Sequence, residues 1–127
     1  MADPAFLLDS NILIYVLEDA TAPLVHRIEQ MELGTVVTST ISLAEASIGL
    51  WRRGFGLEPL SQLFSIIEPL PFDEAAASAY ARIPFKRHRF DRLIAAHALS
   101  LGLTLVTNNP RDFEDVEGLR VENWTVA

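Results

Sequence analysis

Short apolar runs alternate with longer stretches of helical period along the chain, and polar residues mark where one gives way to the other. Residues 5–8 predict a short buried strand. The polar island Asp9-Ser10-Asn11 follows, and Asp9 or Ser10 can cap a helix running to about Leu17. Thr21 and Pro23 open a second helix that Gly34 closes. The β-branched residues 35–38 predict a strand. Ser42 then starts a helix to about Arg53, ended by Gly54 and Gly56. Pro59 suits the first turn of another helix. Residues 65–70 predict a strand near a sheet edge, because Pro69 and Pro71 cannot donate to a ladder. Asp73 caps an alanine-rich helix to about Ile83, and Pro84 interrupts the pattern. The clearest helix spans 90–101, with Phe90, Ile94, Ala98 and Leu101 on one face and Gly102 as its stop. A strand over 103–107, a polar loop with Pro110 and a last strand over 119–122 complete the chain. Strands alternating with helices predict an α/β fold: a three-layer α/β/α sandwich around a mainly parallel sheet of four to five strands. No repeat or linker divides residues 1–127, so a single domain is expected.

Half of the residues are apolar and about a fifth are charged, which argues for a packed core and against disorder. No apolar run is long enough to span a bilayer, and the N-terminal segment lacks the basic start of a secretory signal. A cytoplasmic protein with no membrane partner is expected. The absence of cysteine excludes disulfides and thiolate metal sites. A net charge of −7 disfavours broad contact with phosphates and suits a protein that gathers acids around a cation or docks a basic partner. The basic residues are nevertheless clustered. Lys86, Arg87, Arg89 and Arg92, with His88, surround Asp91 and form a candidate phosphate track, although a solvated loop is the plainer reading.

Asp9 carries the most chemistry. A carboxylate set between apolar Phe6-Leu7-Leu8 and the apolar helix after it is costly unless a cation or hydrogen-bond donor receives it. In right-handed strand–helix–strand units the helix N-termini share a sheet edge with the strand C-termini. That rule places Asp9 (after the first strand), Glu45 and Asp91 (in helix first turns) and Asn109 (after the 103–107 strand) on one edge. It is the edge where open α/β sheets bind ligands. Three carboxylates there repel one another, and at neutral pH they need a cation or raised pKa values. Oxygen donors without paired histidines indicate Mg²⁺ or Mn²⁺, and the matching chemistry is phosphodiester hydrolysis.

Each residue also has a plain structural role available. Ser42-Leu43-Ala44-Glu45 reads as a capping box, Asp9 as an N-cap, Asp91 as a complement to a helix dipole and Asn109 as a turn residue. Asp112 competes with Asn109 for the fourth position, with a short helical turn over Pro110-Arg111-Asp112-Phe113 as an alternative. His97 is expected to be packed, and His26 to lie on a helix surface. Trp51 and Trp124 are expected to serve packing or an interface.

Taken in order, Phe6-Leu7-Leu8-Asp9-Ser10-Asn11, the Ser39 to Glu45 segment, Phe90-Asp91-Arg92-Leu93-Ile94-Ala95-Ala96-His97-Ala98 and Leu105-Val106-Thr107-Asn108-Asn109 resemble the PIN domain, and specifically the VapC-type toxins. The resemblance covers nearly the whole chain. It implies a Mg²⁺- or Mn²⁺-dependent endoribonuclease, dimeric and inhibited by a cognate antitoxin protein. Asp9, Glu45 and Asp91 match the acidic metal ligands, and Asn109 matches a fourth position where the family often has Asp. An amide there brings no charge and would weaken a second metal site. The basic residues Lys86, Arg87, Arg89 and Arg92 would then guide the RNA backbone. A basic antitoxin segment could occupy the acidic edge. Ile48 and Trp51 are candidates for a dimer contact. Two other readings are a phosphatase or phospho-acceptor domain, which usually wants a strand-end lysine unlike Lys86, and a catalytically weakened PIN-like binding scaffold.

Overall fold

Side-chain alternation along the first strand decides how the sheet is covered. In the computed structural model, which describes residues 2–19, 21–86 and 89–126 (Arg89 by its backbone only), this strand, β1, is Phe6–Leu8. Leu7 and Leu8 are both fully buried yet belong to different cores. The same split recurs at Val36 and Val37 of β2 (Val36–Ser39) and at Leu105 and Val106 of β4 (Thr104–Val106). A period of two sends alternate residues to opposite faces, so both faces of the sheet are apolar and both need covering.

The covering helices follow from chain order. α1 (Ser10–Glu18), α2 (Pro23–Glu29) and α4 (Glu58–Phe64) contribute Ile12, Leu13, Leu24, Ile28 and Leu63 to the core around Leu8. α5 (Glu74–Tyr80) and α6 (Arg89–Leu101) contribute Ala79, Ile94, Ala95 and Ala98 to the core around Leu7. α3 (Thr40–Arg52) follows β2 directly and sends Ile41 to that second core. With β3 (Glu68–Leu70) and β5 (Val121–Glu122) the sheet has five strands in the order β3-β2-β1-β4-β5, and every pairing is parallel. Leu8 stands opposite Thr38 on one side and Val106 on the other. Asp9, Ser39 and Thr107 therefore stand at one level on the C-terminal edge of the sheet. The strands are added outward from β1 in one direction and then the other, so the switch point of the sheet lies between β1 and β4, beside Asp9.

Several boundaries differ from expectation. Thr21 does not cap α2; its N–H and hydroxyl donate to Asp19, and Pro23 opens the helix. That helix stops at Glu29, ahead of Gly34. α3 begins two residues before Ser42, because Ser39 caps it by accepting from Ile41 N at 3.0 Å. On α6, Ile94 and Ala98 are buried, but Phe90 and Leu101 at the ends of the expected stripe are exposed. The polar loop after β4 forms a 3₁₀ turn over Pro110–Phe113. β3 is an edge strand, as expected from Pro69 within it and Pro71 just after it.

Leu105 touches no solvent and is part of the α5/α6 core. Leu105→Ala is expected to destabilise the protein by about 2–5 kcal/mol, the usual range for a central leucine. Urea unfolding followed by circular dichroism measures it, and a loss under about 1 kcal/mol would contradict this packing.

Candidate active site

Asp9 is fixed from three sides. Its N–H donates to Val106 O at 3.0 Å, its Oδ1 accepts from Ile12 N at 3.0 Å, and the Thr107 hydroxyl donates to the carboxylate. The helix-capping role is therefore real, but one oxygen suffices for it. The side chain is 4 % exposed, and burial pushes its pKa from 3.8 up to about 6. The Thr107 and Ile12 hydrogen bonds oppose that rise, while the charges of Asp91 and Glu45 add to it.

Glu45 is not a capping residue. With α3 capped at Ser39, it lies in the second turn, and its Oε1 accepts the Ser10 hydroxyl at 2.6 Å. Burial raises its pKa, the Ser10 bond lowers it, and Asp91 raises it further. Asp91 occupies the first turn of α6, part-buried, and its charge acts on both other acids. The end of β1, the second turn of α3 and the start of α6 thus deliver three carboxylates to one edge. Asp91 is close enough to raise the proton affinity of both Asp9 and Glu45, and Glu45 that of Asp9. Among the described residues no three Asp, Glu or His side chains already close on a common point as a finished metal cage would.

Asn109 and Asp112 turn out to be partners. Asn109 Nδ2 donates to Asp112 Oδ2 at 2.8 Å, and Asn109 N donates to Thr107 Oγ1 at 3.2 Å. One hydroxyl, that of Thr107, thereby touches Asp9 and the backbone of the fourth position.

The basic stretch divides. Arg87 and His88 lie outside the described residues, as does the side chain of Arg89. Lys86 is half-exposed, with Nζ 3.4 Å from Asp115. Arg92 corrects the expectation of a phosphate contact: it is 2 % exposed and turned inward. Its Nη2 donates to Asp112 O at 2.8 Å, and its Nη1 lies 3.0 Å from Asp115 Oδ1. That second contact is ionic rather than a well-aligned hydrogen bond, leaving the Nη1 donor poorly satisfied.

His97 is buried against the Phe72 ring with Nδ1 2.9 Å from Ser39 Oγ, so it is a packed side chain. His26 is exposed. Trp124 is buried beneath Arg27, and Trp51 is 75 % exposed. Sequence reasoning missed Ser10 and Thr107 as supports of the acids, and Asp115 altogether. The position of Ser10 and Thr107, each next to a strand end, was the available signal.

Three interacting carboxylates at the switch point of a parallel sheet are the kind of α/β site that suits a hard divalent cation. Comparison gives the family. The PIN domain model matches residues 6–119, and the chain belongs to the PIN domain family. It is 35 % identical to the tRNA(fMet)-specific endonuclease VapC of Shigella flexneri over 94 % of this chain and 98 % of that protein. It is 32 % identical to ribonuclease VapC2 of Haemophilus influenzae over 94 % and 97 %. Among solved structures, DNA-bound VapBC from Salmonella typhimurium matches with a TM-score of 0.83 at 30 % identity, over 95 % of this chain and 98 % of that one.

Proposed function

We propose that this chain is a Mg²⁺- or Mn²⁺-dependent endoribonuclease, the toxin of a toxin–antitoxin pair. The observation that carries this reading is the meeting of Asp9, Glu45 and Asp91 at one sheet edge, in a chain whose relatives are ribonucleases. The donor set suits such an ion. It consists of hard oxygen groups, and burial, with a smaller part from mutual repulsion, raises the proton affinity of Asp9 and Glu45, a cost that a cation relieves.

Asp9 and Asp91 would hold the ion with Glu45, and Asn109 would support it through its amide oxygen. When bound, the metal lowers the pKa of an attacking water and offsets charge on the phosphate. The residues of the chain do the rest. Thr107 and Ile12 N fix the orientation of Asp9, and the Ser10 hydroxyl fixes that of Glu45. A carboxylate with raised proton affinity is suited to take a proton from water near neutral pH, and Glu45 is our candidate. Lys86, Arg87 and Arg89 remain the candidate guides for the RNA backbone. A phospho-acceptor reading gains nothing, because Lys86 precedes α6 and pairs with Asp115 instead of standing at a strand end.

The antitoxin has a surface to use. An apolar groove of about 250 Å³ lies between α1 and α3, lined by Ile14, Leu17, Ala46, Leu50 and Phe55. Trp51 and Ile48 are exposed on α3. An antitoxin segment on that groove, or a second copy of this chain on the α3 surface, would cover apolar area that water now meets. No helix among the described residues is long and apolar enough to cross a membrane.

The test is induced expression with and without the neighbouring gene, followed by mapping of cut RNA ends, and cleavage of tRNA by the purified protein. Growth arrest relieved by the neighbour, with cleavage that needs Mg²⁺ or Mn²⁺ and stops in EDTA, is expected. Absence of cleavage with either metal, by protein that is folded, would overturn the reading.

A further inference from the structure

The geometry points to Arg92 as a positioning residue, one that clamps the 109–115 loop against the start of α6 and so sets Asn109 and Asp112 relative to Asp91. Arg92 follows Asp91 directly in the first turn of α6, so whatever Arg92 holds is held beside that carboxylate. Its guanidinium spans two points on the loop: the carbonyl of Asp112 at 2.8 Å and the carboxylate of Asp115 at 3.0 Å. The next contact outward is Asn109 Nδ2 on Asp112 Oδ2 at 2.8 Å. The path from Asp91 to the fourth position therefore runs Arg92, Asp112, Asn109, with Asp115 bracing the cation.

A planar fork suits this task better than an ammonium, because it meets a carbonyl and a carboxylate at once with little further loss of freedom. Burial makes the arrangement demanding. A guanidinium that is 2 % exposed must have its charge answered, and Asp115 is the acid that answers it. Lys86 meets Asp115 from the exposed side at 3.4 Å, which ties the segment before α6 into the same brace. Metal sites depend on such outer partners: a ligand whose support is loose loses affinity although the ligand itself remains. This inference rests on the proposed nuclease activity and deepens it.

The experiment compares wild type with Arg92→Lys, Asp115→Asn and the double variant, well below their melting temperatures. Mn²⁺ affinity is read by calorimetry without RNA, and kcat and KM are read on one RNA with saturating Mg²⁺. Arg92→Lys keeps the charge but loses the fork. It is expected to weaken Mn²⁺ binding and lower kcat, each by about 10–100-fold, with KM changed less than about threefold. Asp115→Asn should show the same pattern. The double variant should be little worse than either single change, since the two groups act in series.

Unchanged Mn²⁺ affinity and kcat in folded Arg92→Lys, with only a lower melting temperature, would overturn the proposal and leave Arg92 a structural residue. A rise in KM alone, with the salt slope of RNA binding reduced by about one, would overturn it in favour of a direct phosphate contact. Should Arg92→Lys fail to fold, Asp115→Asn decides on the same criteria, its side chain being one-third exposed. Wild type that cleaves while the variants cleave equally well sinks only this inference. Wild type that does not cleave sinks the nuclease reading itself.

Discussion

Asp9→Asn is expected to abolish metal-dependent RNA cleavage and at the same time make the metal-free protein more stable. The first effect follows from loss of a charged ligand. Outer-shell partners alone cost about 10–100-fold, so removing a ligand should lower kcat/KM by at least about a hundredfold. The second follows from burial. In the folded chain the Asp9 carboxyl titrates at about 6, above its ordinary 3.8, so the fold holds the proton more tightly between those values. Metal-free wild type therefore loses stability as pH rises from about 4 to about 6, and the whole penalty is present above that. At about 1.4 kcal/mol per unit, the penalty is about 3 kcal/mol at most. Asparagine caps helices as well as aspartate does, so the bond to Ile12 N survives. The Thr107 hydroxyl can turn to accept from an amide. Thermal melts in EDTA at pH 7.5 should place the variant about 5–10 °C above wild type, with the gap closing near pH 4. A variant less stable than wild type at pH 7.5 in EDTA would refute this account of Asp9. Mg²⁺ should raise the melting point of wild type only, and less so below pH 6, where protons compete for the same oxygens.

Thr107→Val should have the next largest effect, although Thr107 is neither charged nor placed to touch substrate. The change preserves shape and removes one hydroxyl, which serves Asp9 on one side and Asn109 N on the other. Without it Asp9 loses the largest contribution that opposes its raised pKa, and an N–H at the fourth position loses its partner. Cleavage is expected to fall about 10–100-fold, the loss seen when outer-shell partners are removed. The acidic limb of the pH–rate profile should move to higher pH. Activity within twofold of wild type, with an unmoved profile, would show that Asp9 needs no such support. Thr107→Ser, which restores the hydroxyl, should recover most of the rate.

The gathering of the acids was legible because it depends on chain order. Parallel strands joined by helices place strand ends and helix starts on one edge whatever their details. The start of α3 was not legible for a local reason. Ser39, Thr40 and Ser42 are all competent caps, and distant groups decide among them. His97 engages the Ser39 hydroxyl, and Phe72 N donates to Thr40 Oγ1. Placing the cap at Ser39 removes the capping box that made Glu45 ambiguous. Arg92 was misread because a run of basic residues looks like a surface in one dimension. Helical period puts Arg92 in line with Ala95 and Ala96, both fully buried, and Asp115, its partner, lies across a turn with no motif of its own. The exposed ends of the α6 stripe show the same limit: periodicity marks a face but not how far the sheet extends beneath it.

The central place of β1 has a consequence for synthesis. This strand is made first, yet it lies between β2 and β4 and finds its second neighbour only when residues 104–106 have emerged. A ribosome that has not yet released residues 104–107 thus holds a chain whose middle strand is paired on one side at most and has no Thr107 to reach Asp9. Pairing across so long a stretch is slow. A translating cell is thereby spared an enzyme that cuts RNA while still attached to the machinery reading one.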